Sequence, residues 1–238
     1  MDSINHQKNW TAYHEAGHAV VAHHLKAKLG GIRLERENAP AGWSNWEGST
    51  DIGRCGLDQD TRMRTALAGP LAEAKFRAIA EYGVPGNQIV QFDHHDPESP
   101  FVRAVREWGS EGNITTEFHF TICNDRRKVS MEIFEDDLHF LKPKQTSTDE
   151  HMLHSAVSEV RGLLDHPTTW QAVEALAQRI LALKAICVER VEMDGQQVVE
   201  FINAELDKSV GNMEDAGPSL LLLCAGPPIR KSSRPPRR

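Results

Sequence analysis

The sequence predicts a mainly α-helical fold with a small β-sheet, an α+β class, on two observations. Long segments carry apolar residues at helical spacing, and two shorter ones alternate apolar and polar residues as half-buried strands do. The helical segments are about 9–29, 58–82, 150–164, 168–189 and 195–206. With 238 residues the chain can bury one good core, so we expect a single domain over 1–208. Residues 209–238, rich in Gly, Pro, Ser and Arg, are predicted to be a disordered basic tail.

Composition excludes some classes of protein. The formal net charge of −7 disfavours a nucleic-acid binder, which needs a basic face. No apolar stretch is long enough to span a bilayer, and the N-terminus lacks the features of a signal peptide. The four cysteines, with no CxxC pair among them, indicate reduced thiols; they are Cys55, Cys123, Cys187 and Cys224. We therefore expect a cytoplasmic protein with no membrane span.

The first helix has an apolar stripe that includes Tyr13 and Val20, and Gly30–Gly31 ends it. Residues 31–36 alternate like a strand, and a second strand is expected near 51–55 after a loop.

The second predicted helix contains a proline, Pro70, which removes one hydrogen bond and predicts a bend or a break. A third helix should begin near "FDHHDPESP", where Asp96–Pro97 or Ser99–Pro100 fits a cap followed by a first turn.

Residues 115–138 have the pattern of a β-hairpin. Phe118, Phe120 and Ile122 alternate with polar residues, and "NDRR" is the expected turn before "KVSMEIF" alternates again. We place this hairpin in an insertion at about 113–145. It either covers a cleft or binds a partner, or it is a surface hairpin with no role.

"TAYHEAGHAVVAHHL" contains an HExxH pattern formed by His14, Glu15 and His18. Residues four apart on a helix share a face, so the two imidazoles can bind one ion. Zn²⁺ takes such nitrogens in a tetrahedral site, and three protein ligands leave one position for water. Glu15 is then placed to take a proton from the attacking water and to deliver it to the leaving amine.

The alternative is that these histidines are ordinary polar residues in a chain with 12 histidines. His23 and His24, on the same helix, are expected to be exposed to solvent and not to be ligands.

Three ordered segments resemble the FtsH-type zinc metallopeptidases. "AYHEAGHAVVAHHL" looks like the zinc helix of that family, and "ALAGPLAEAKF" is similar to its second helix. Residues 169–202 resemble its closing segment, a long helix followed by an Asp-Gly turn and a short helix. Together these segments extend over most of residues 10–206.

The resemblance implies a mostly helical zinc peptidase that binds one Zn²⁺ per chain. His14 and His18 carry over as ligands, and Glu15 carries over as the catalytic carboxylate. The third ligand implied is an aspartate that begins a later helix in an Asn-Asp-Leu context, with an alanine four residues on, a pattern this chain lacks. By position we predict Asp96, with Asp93 as the alternative, although an aspartate before Ser or Pro is also a common helix cap.

Other implications stay open at the level of sequence. Glu73 fits a partner that orients a ligand histidine, a third ligand itself, or a surface charge. The strand at 31–36 is a candidate for adding an extended peptide as a further strand, and a mere core strand fits equally well. A homo-oligomer or a separate partner protein is also open.

The chain has no GxxxxGK[ST] motif and so no ATPase module of that type. The function predicted is therefore an ATP-independent zinc metalloendopeptidase that cleaves unfolded or flexible polypeptides. The alternatives are a regulatory protease specific for one protein partner and a non-catalytic relative that uses the fold for binding.

Overall fold

The computed structural model describes residues 3–36, 46–53, 57–84, 89–93, 99–109, 111–141, 147–183 and 190–215. Within them the chain forms seven helices and six strands. The helices are α1 Ser3–His24, α2 Gln59–Glu81, α3 Pro100–Glu107, α4 Glu135–Leu141, α5 Ser147–Asp165, α6 Pro167–Ala182 and α7 Gly195–Asp215. The strands are β1 Leu29–Arg36, β2 Trp46–Ile52, β3 Val90–Phe92, β4 Ile114–Ile122, β5 Asp125–Ile133 and β6 Arg190–Asp194. This confirms the predicted mainly α class with a small β component.

The helices α1 and α2 pack closely against each other at the centre of the fold. Small buried residues line their contact, among them Ala16 of α1 and Ala68 and Ala72 of α2. A Cβ placed at Gly17 would lie 2.6 Å from the carbonyl oxygen of Ala68. The glycine therefore permits the close approach of the two backbones.

α2 runs through Pro70 without a break, although the sequence predicts a bend or a break there. Its start is fixed by Asp58, whose carboxylate accepts a hydrogen bond from the backbone N–H of Thr61 at 2.7 Å. Pro70 and its neighbour Leu71 are buried, so tertiary packing of this face outweighs the hydrogen bond that proline removes.

The first sheet is antiparallel with the order β2-β1-β6. β1 lies in the middle, and its Ile32 and Leu34 point into the core. β2 is one of the two outer strands, and its burial alternates: the residues between its half-buried positions are exposed, and the half-buried ones are Trp46, Gly48, Thr50 and Ile52. One face of β2 is therefore turned inward.

The second sheet is antiparallel with the order β3-β4-β5, and it contains the predicted hairpin. Cys123 and Asn124 form the turn, with φ of 51° and 67°. Both central residues thus have the positive φ of a type I′ turn, which matches the twist of the strands. The turn begins one residue before the predicted "NDRR" turn, because Asp125 of that stretch already pairs with Ile122.

The hairpin strands end earlier than predicted, at Ile133, and α4 follows immediately. The side chain of Asn113 accepts a hydrogen bond from the backbone N–H of Glu135 at 3.0 Å. The first turn of α4 is acidic, which suits the positive end of a helix dipole. Strand alternation alone does not distinguish the last predicted strand residues from the start of this helix.

The C-terminal half also departs from the predicted bounds. α6 ends at Ala182, and the strand β6 at Arg190–Asp194 was not expected. α7 continues to Asp215, past the predicted start of the tail at 209, while 216–238 lie outside the described residues. A search of the described helices finds none that is long and apolar enough to cross a membrane.

Candidate metal centre

His14 and His18 lie on the face of α1 that packs against α2. Both residues are buried, at 9% and 7% exposure, and their ring centroids are 4.8 Å apart. Burying two imidazoles is costly unless their polar atoms are satisfied. Their hydrogen-bond partners therefore show what the site is arranged to do.

Each imidazole is held through its Nδ1 atom by a residue of α2. Nδ1 of His14 lies 3.0 Å from a carboxylate oxygen of Glu73, and Nδ1 of His18 lies 2.6 Å from the backbone carbonyl oxygen of Thr65. Both partners are acceptors, so the proton belongs on Nδ1 in each ring. With Nδ1 engaged in this way, Nε2 is the atom of each ring that would bind a metal.

Both Nε2 atoms converge on Asp137, which lies in the first turn of α4. One carboxylate oxygen of Asp137 is 3.1 Å from Nε2 of His14, and the other is 3.4 Å from Nε2 of His18. Among the described residues, His14, His18 and Asp137 form the one group of potential ligands whose atoms all lie within 4.8 Å of one another.

The donor set fits a zinc ion. Two ligand atoms at about 2.0 to 2.1 Å from a tetrahedral centre stand about 3.3 to 3.4 Å apart. Nε2 of His14 lies 3.1 Å from one oxygen of Asp137 and Nε2 of His18 lies 3.4 Å from the other, so each ring is near that spacing from a different oxygen. Two imidazoles and one carboxylate also favour zinc over calcium or magnesium, which prefer oxygen ligands throughout.

The electrostatics of the site favour positive charge. Burial alone lowers the pKa of His14, but Asp137, Glu73 and Glu15 outweigh it and hold that pKa well above its ordinary value. Burial raises the pKa of Asp137, but the two histidines outweigh it and leave that pKa far below its usual range. Several buried carboxylates thus surround two imidazoles, a composition that a cation would balance.

Glu15 is also buried, at 5% exposure, and its side chain is held by β2. The hydroxyl of Thr50 donates to Oε2 of Glu15 at 2.6 Å and lies 3.1 Å from its backbone carbonyl oxygen. A Cβ at Gly48 would overlap the Glu15 side chain, 2.7 Å from its carboxylate carbon. The outer strand therefore fixes the position of this carboxylate.

Gly69 of α2 lies directly against the two imidazoles. A Cβ at this position would come within 2.6 Å of Nε2 of His14 and would also overlap His18. Position 69 therefore requires glycine for steric reasons, because any other residue would leave no room for the two imidazole rings.

A second contact fixes Glu73 itself. Arg77, one turn further along α2, donates to the other carboxylate oxygen of Glu73 at 2.5 Å, and its guanidinium stacks 3.8 Å above the ring of Trp10. The two positive partners lower the pKa of Glu73 despite its burial. Glu73 is hydrogen-bonded to His14 and is not in the described ligand group, which fits the role of a partner that orients this histidine.

The predicted third ligands lie elsewhere or outside the described residues. Asp93 is buried, and its carboxylate forms an ion pair with Nε of Arg126 at 2.7 Å. It is not part of the group formed by the two histidines and Asp137. Asp96 belongs to 94–98, outside the described residues. Asp137 occupies the position by the histidines, and the prediction missed it because 115–138 was assigned to a hairpin. The available signal was an Asp-Leu pair, Asp137–Leu138, three residues into a helix.

Two further predictions can be checked here. β1 cannot add a peptide strand over Gly31–Glu35, because β2 and β6 pair with it on both sides. Of the two alternatives considered for this strand, the core strand is therefore the correct one, and β2 and β6 are the outer strands of the sheet. His24 is exposed and His23 is half-buried, and neither belongs to the described ligand group.

A comparison of the sequence with protein-family models and with curated proteins finds no match.

Proposed function

We propose that this protein is a zinc-dependent metalloendopeptidase that cleaves unfolded or flexible polypeptides. His14, His18 and Asp137 are the metal ligands, and Glu15 is the general base. The observation that carries the proposal is the convergence of two imidazole Nε2 atoms on the carboxylate of Asp137, with both Nδ1 atoms held by acceptors. An arrangement of this kind is typical of histidines that bind a metal.

The chemistry divides between the metal and the protein. A bound Zn²⁺ would supply a Lewis acid that makes water a nucleophile near neutral pH and polarises a peptide carbonyl. Glu15 takes the proton of the attacking water on its carboxylate and returns it to the nitrogen of the leaving amine. Glu73 and the Thr65 carbonyl keep the histidine rings oriented throughout.

The buried carboxylate of Glu15 favours an enzyme over a non-catalytic binding protein. Burying an ionisable group lowers stability unless partners compensate, and the carboxylate of Glu15 accepts a hydrogen bond from the hydroxyl of Thr50. A protein that uses the fold only for binding gains nothing from this group.

The resemblance to the FtsH-type peptidases supports the same proposal. The ordered segments that carry it include the two helices that hold His14, His18 and Glu73. Asp137, an aspartate before a leucine at a helix start, adds to it. The substrate that we propose is a polypeptide that is unfolded or flexible. The cytoplasmic location stays a prediction.

Zinc content and peptide cleavage test the proposal together. We expect the purified protein to hold about one zinc per chain and to cleave casein or an unfolded peptide. Glu15→Gln should keep the zinc and lose at least about 100-fold in kcat. Glu107→Gln, at an exposed position at the end of α3, is the matched control and should behave as wild type. Wild-type protein that takes up no zinc, or an active Glu15→Gln variant, contradicts the proposal.

A further inference from the structure

The side chain of Thr50 forms a hydrogen bond with Glu15, although Thr50 is not one of the proposed catalytic groups. It lies on the inward face of β2, and its neighbours Ser49 and Asp51 are exposed on the opposite face. Across the sheet it pairs with Ile32 of β1, which is buried at 2% exposure. The strand position of Thr50 is therefore fixed by the core of the first sheet.

The hydroxyl of Thr50 occupies one oxygen of the Glu15 carboxylate and leaves the other without a donor. The 2.6 Å contact is to Oε2. Within the described part of the chain, no hydrogen bond to Oε1 of Glu15 is found. A general base needs one oxygen with a free lone pair in a fixed direction, and this arrangement provides it.

Sterics restrict the same carboxylate from a second side. Gly48 precedes Thr50 by two residues and so shares its face of β2. A Cβ there would overlap Oε1 of Glu15 and lie 2.5 Å from its Cγ, so the side chain is seated against the bare backbone of the strand and the glycine leaves room for Oε1. A glutamate side chain otherwise has several rotamers, and losing that freedom is the usual cost of holding it in place.

We propose that Thr50 is the positioning residue for the general base: its hydroxyl binds Oε2 of Glu15 and so directs Oε1 to the proton that is transferred. The catalytic consequence rests on the proposed peptidase function, while the contact between the two side chains does not. The two can therefore be tested separately.

The contact is tested in metal-free protein by combining substitutions. Thr50→Val keeps the shape of the side chain and removes the hydroxyl, so it should lower the urea midpoint of unfolding. In a Glu15→Ala background the same change should have little effect, because the partner is gone. Ser49→Val, on the exposed face of the same strand, is the matched control and should shift the midpoint equally in both backgrounds. A Thr50→Val effect that is the same in both backgrounds overturns the proposal.

Turnover tests the catalytic consequence. Thr50→Val should keep its zinc and its KM and lose roughly 10-fold in kcat, less than the 10²- to 10⁴-fold expected when the base itself is removed. Thr50→Ser retains a hydroxyl and should restore most of the kcat. An unchanged kcat in Thr50→Val also overturns the proposal. If wild type neither binds zinc nor cleaves peptides, the peptidase function fails, and the urea experiment alone decides whether Thr50 positions Glu15.

Discussion

The two small sheets each position a carboxylate at the candidate metal centre, by different routes. The first sheet, β2-β1-β6, lies along α1 and holds Glu15, a residue that α1 itself carries. The last strand of the second sheet, β3-β4-β5, leads into α4, and α4 carries Asp137, which does not belong to α1. One sheet therefore fixes a group that helix geometry has already placed, while the other delivers a group from a distant part of the chain.

This difference makes the two carboxylates depend on different physical causes. His14, Glu15 and His18 keep their spacing as long as α1 stays helical. The position of Asp137 depends instead on the packing of the second sheet against α2 and α5. We therefore expect changes at α4 and at that packing to disturb the metal more than changes to the first sheet.

Asp137→Ala should have the largest effect, because it removes a ligand and leaves only two imidazoles. We expect the bound zinc to fall from about one per chain to near zero, since catalytic zinc sites use three protein ligands. Metal analysis after dialysis measures this loss. Asp136→Ala, at the adjacent exposed position, and Asp93→Ala, in the Arg126 pair, should both retain zinc.

The opposite result would identify a different ligand. Zinc retained by Asp137→Ala and lost from Asp93→Ala would restore the sequence-based alternative. The same measurement on Asp96→Ala tests the residue that lies outside the described part of the chain.

Lys75→Met should be the most destabilising substitution remote from the ligands. Lys75 of α2 is 3% exposed, and it donates to the carbonyl of Leu164 and to the carboxylate of Asp165, each at 2.8 Å. Asp165 also accepts a hydrogen bond from the backbone N–H of Phe92 in β3, at 3.0 Å. Lys75 thus joins α2, the end of α5 and the second sheet.

Removing this cation breaks a buried ion pair with Asp165, and breaking such a pair costs about 3 to 5 kcal/mol. The free energy of unfolding from urea titration measures the loss, and weaker zinc binding should accompany it. Lys128→Met breaks the exposed pair with Glu117 on β4 and β5 and should give no resolvable change. Equal effects of the two substitutions would show that the second sheet does not depend on the buried pair.

The same division explains what the sequence could reveal. His14, Glu15 and His18 were predicted because their spacing has meaning within one helix. The hairpin was predicted because Phe118, Phe120 and Ile122 alternate, and all three are buried. These signals are local, so they do not require knowledge of the tertiary fold.

Asp137 was missed because its neighbour in space, His14, is far away in sequence. Nothing local separates "FEDDL" from the end of a strand, and the start of α4 depends on a hydrogen bond from its first residue to Asn113. β3 and β6 were missed for a related reason. Each is a short strand whose hydrogen bonds come entirely from a distant partner.

The Gly69→Ala substitution tests how closely α2 must approach the two histidines. The added Cβ overlaps both imidazoles, so we expect a loss of about 1 to 3 kcal/mol in the free energy of unfolding. Gly162→Ala in α5 is the matched control, because a Cβ there meets no atom within 4 Å. It should stabilise the protein by about 0.5 to 1 kcal/mol through helix propensity. Gly69→Ala with the same stabilising effect as Gly162→Ala would contradict the close packing.

The smallest effect separates the two histidines, whose Nδ1 atoms have partners of different kinds. A backbone carbonyl, that of Thr65, holds His18, and no side-chain substitution at Thr65 removes it. The carboxylate of Glu73 holds His14, so only this ring can be released by mutation.

Glu73→Ala should weaken zinc binding about 10- to 100-fold, as the loss of such partners does elsewhere. Glu73→Gln keeps an acceptor oxygen without the charge and should fall between Glu73→Ala and wild type. Chelator competition measures these affinities, with Glu81→Gln at the exposed end of α2 as the control. Equal affinities for Glu73→Ala and Glu81→Gln would mean that α1 and its packing orient His14 without the carboxylate.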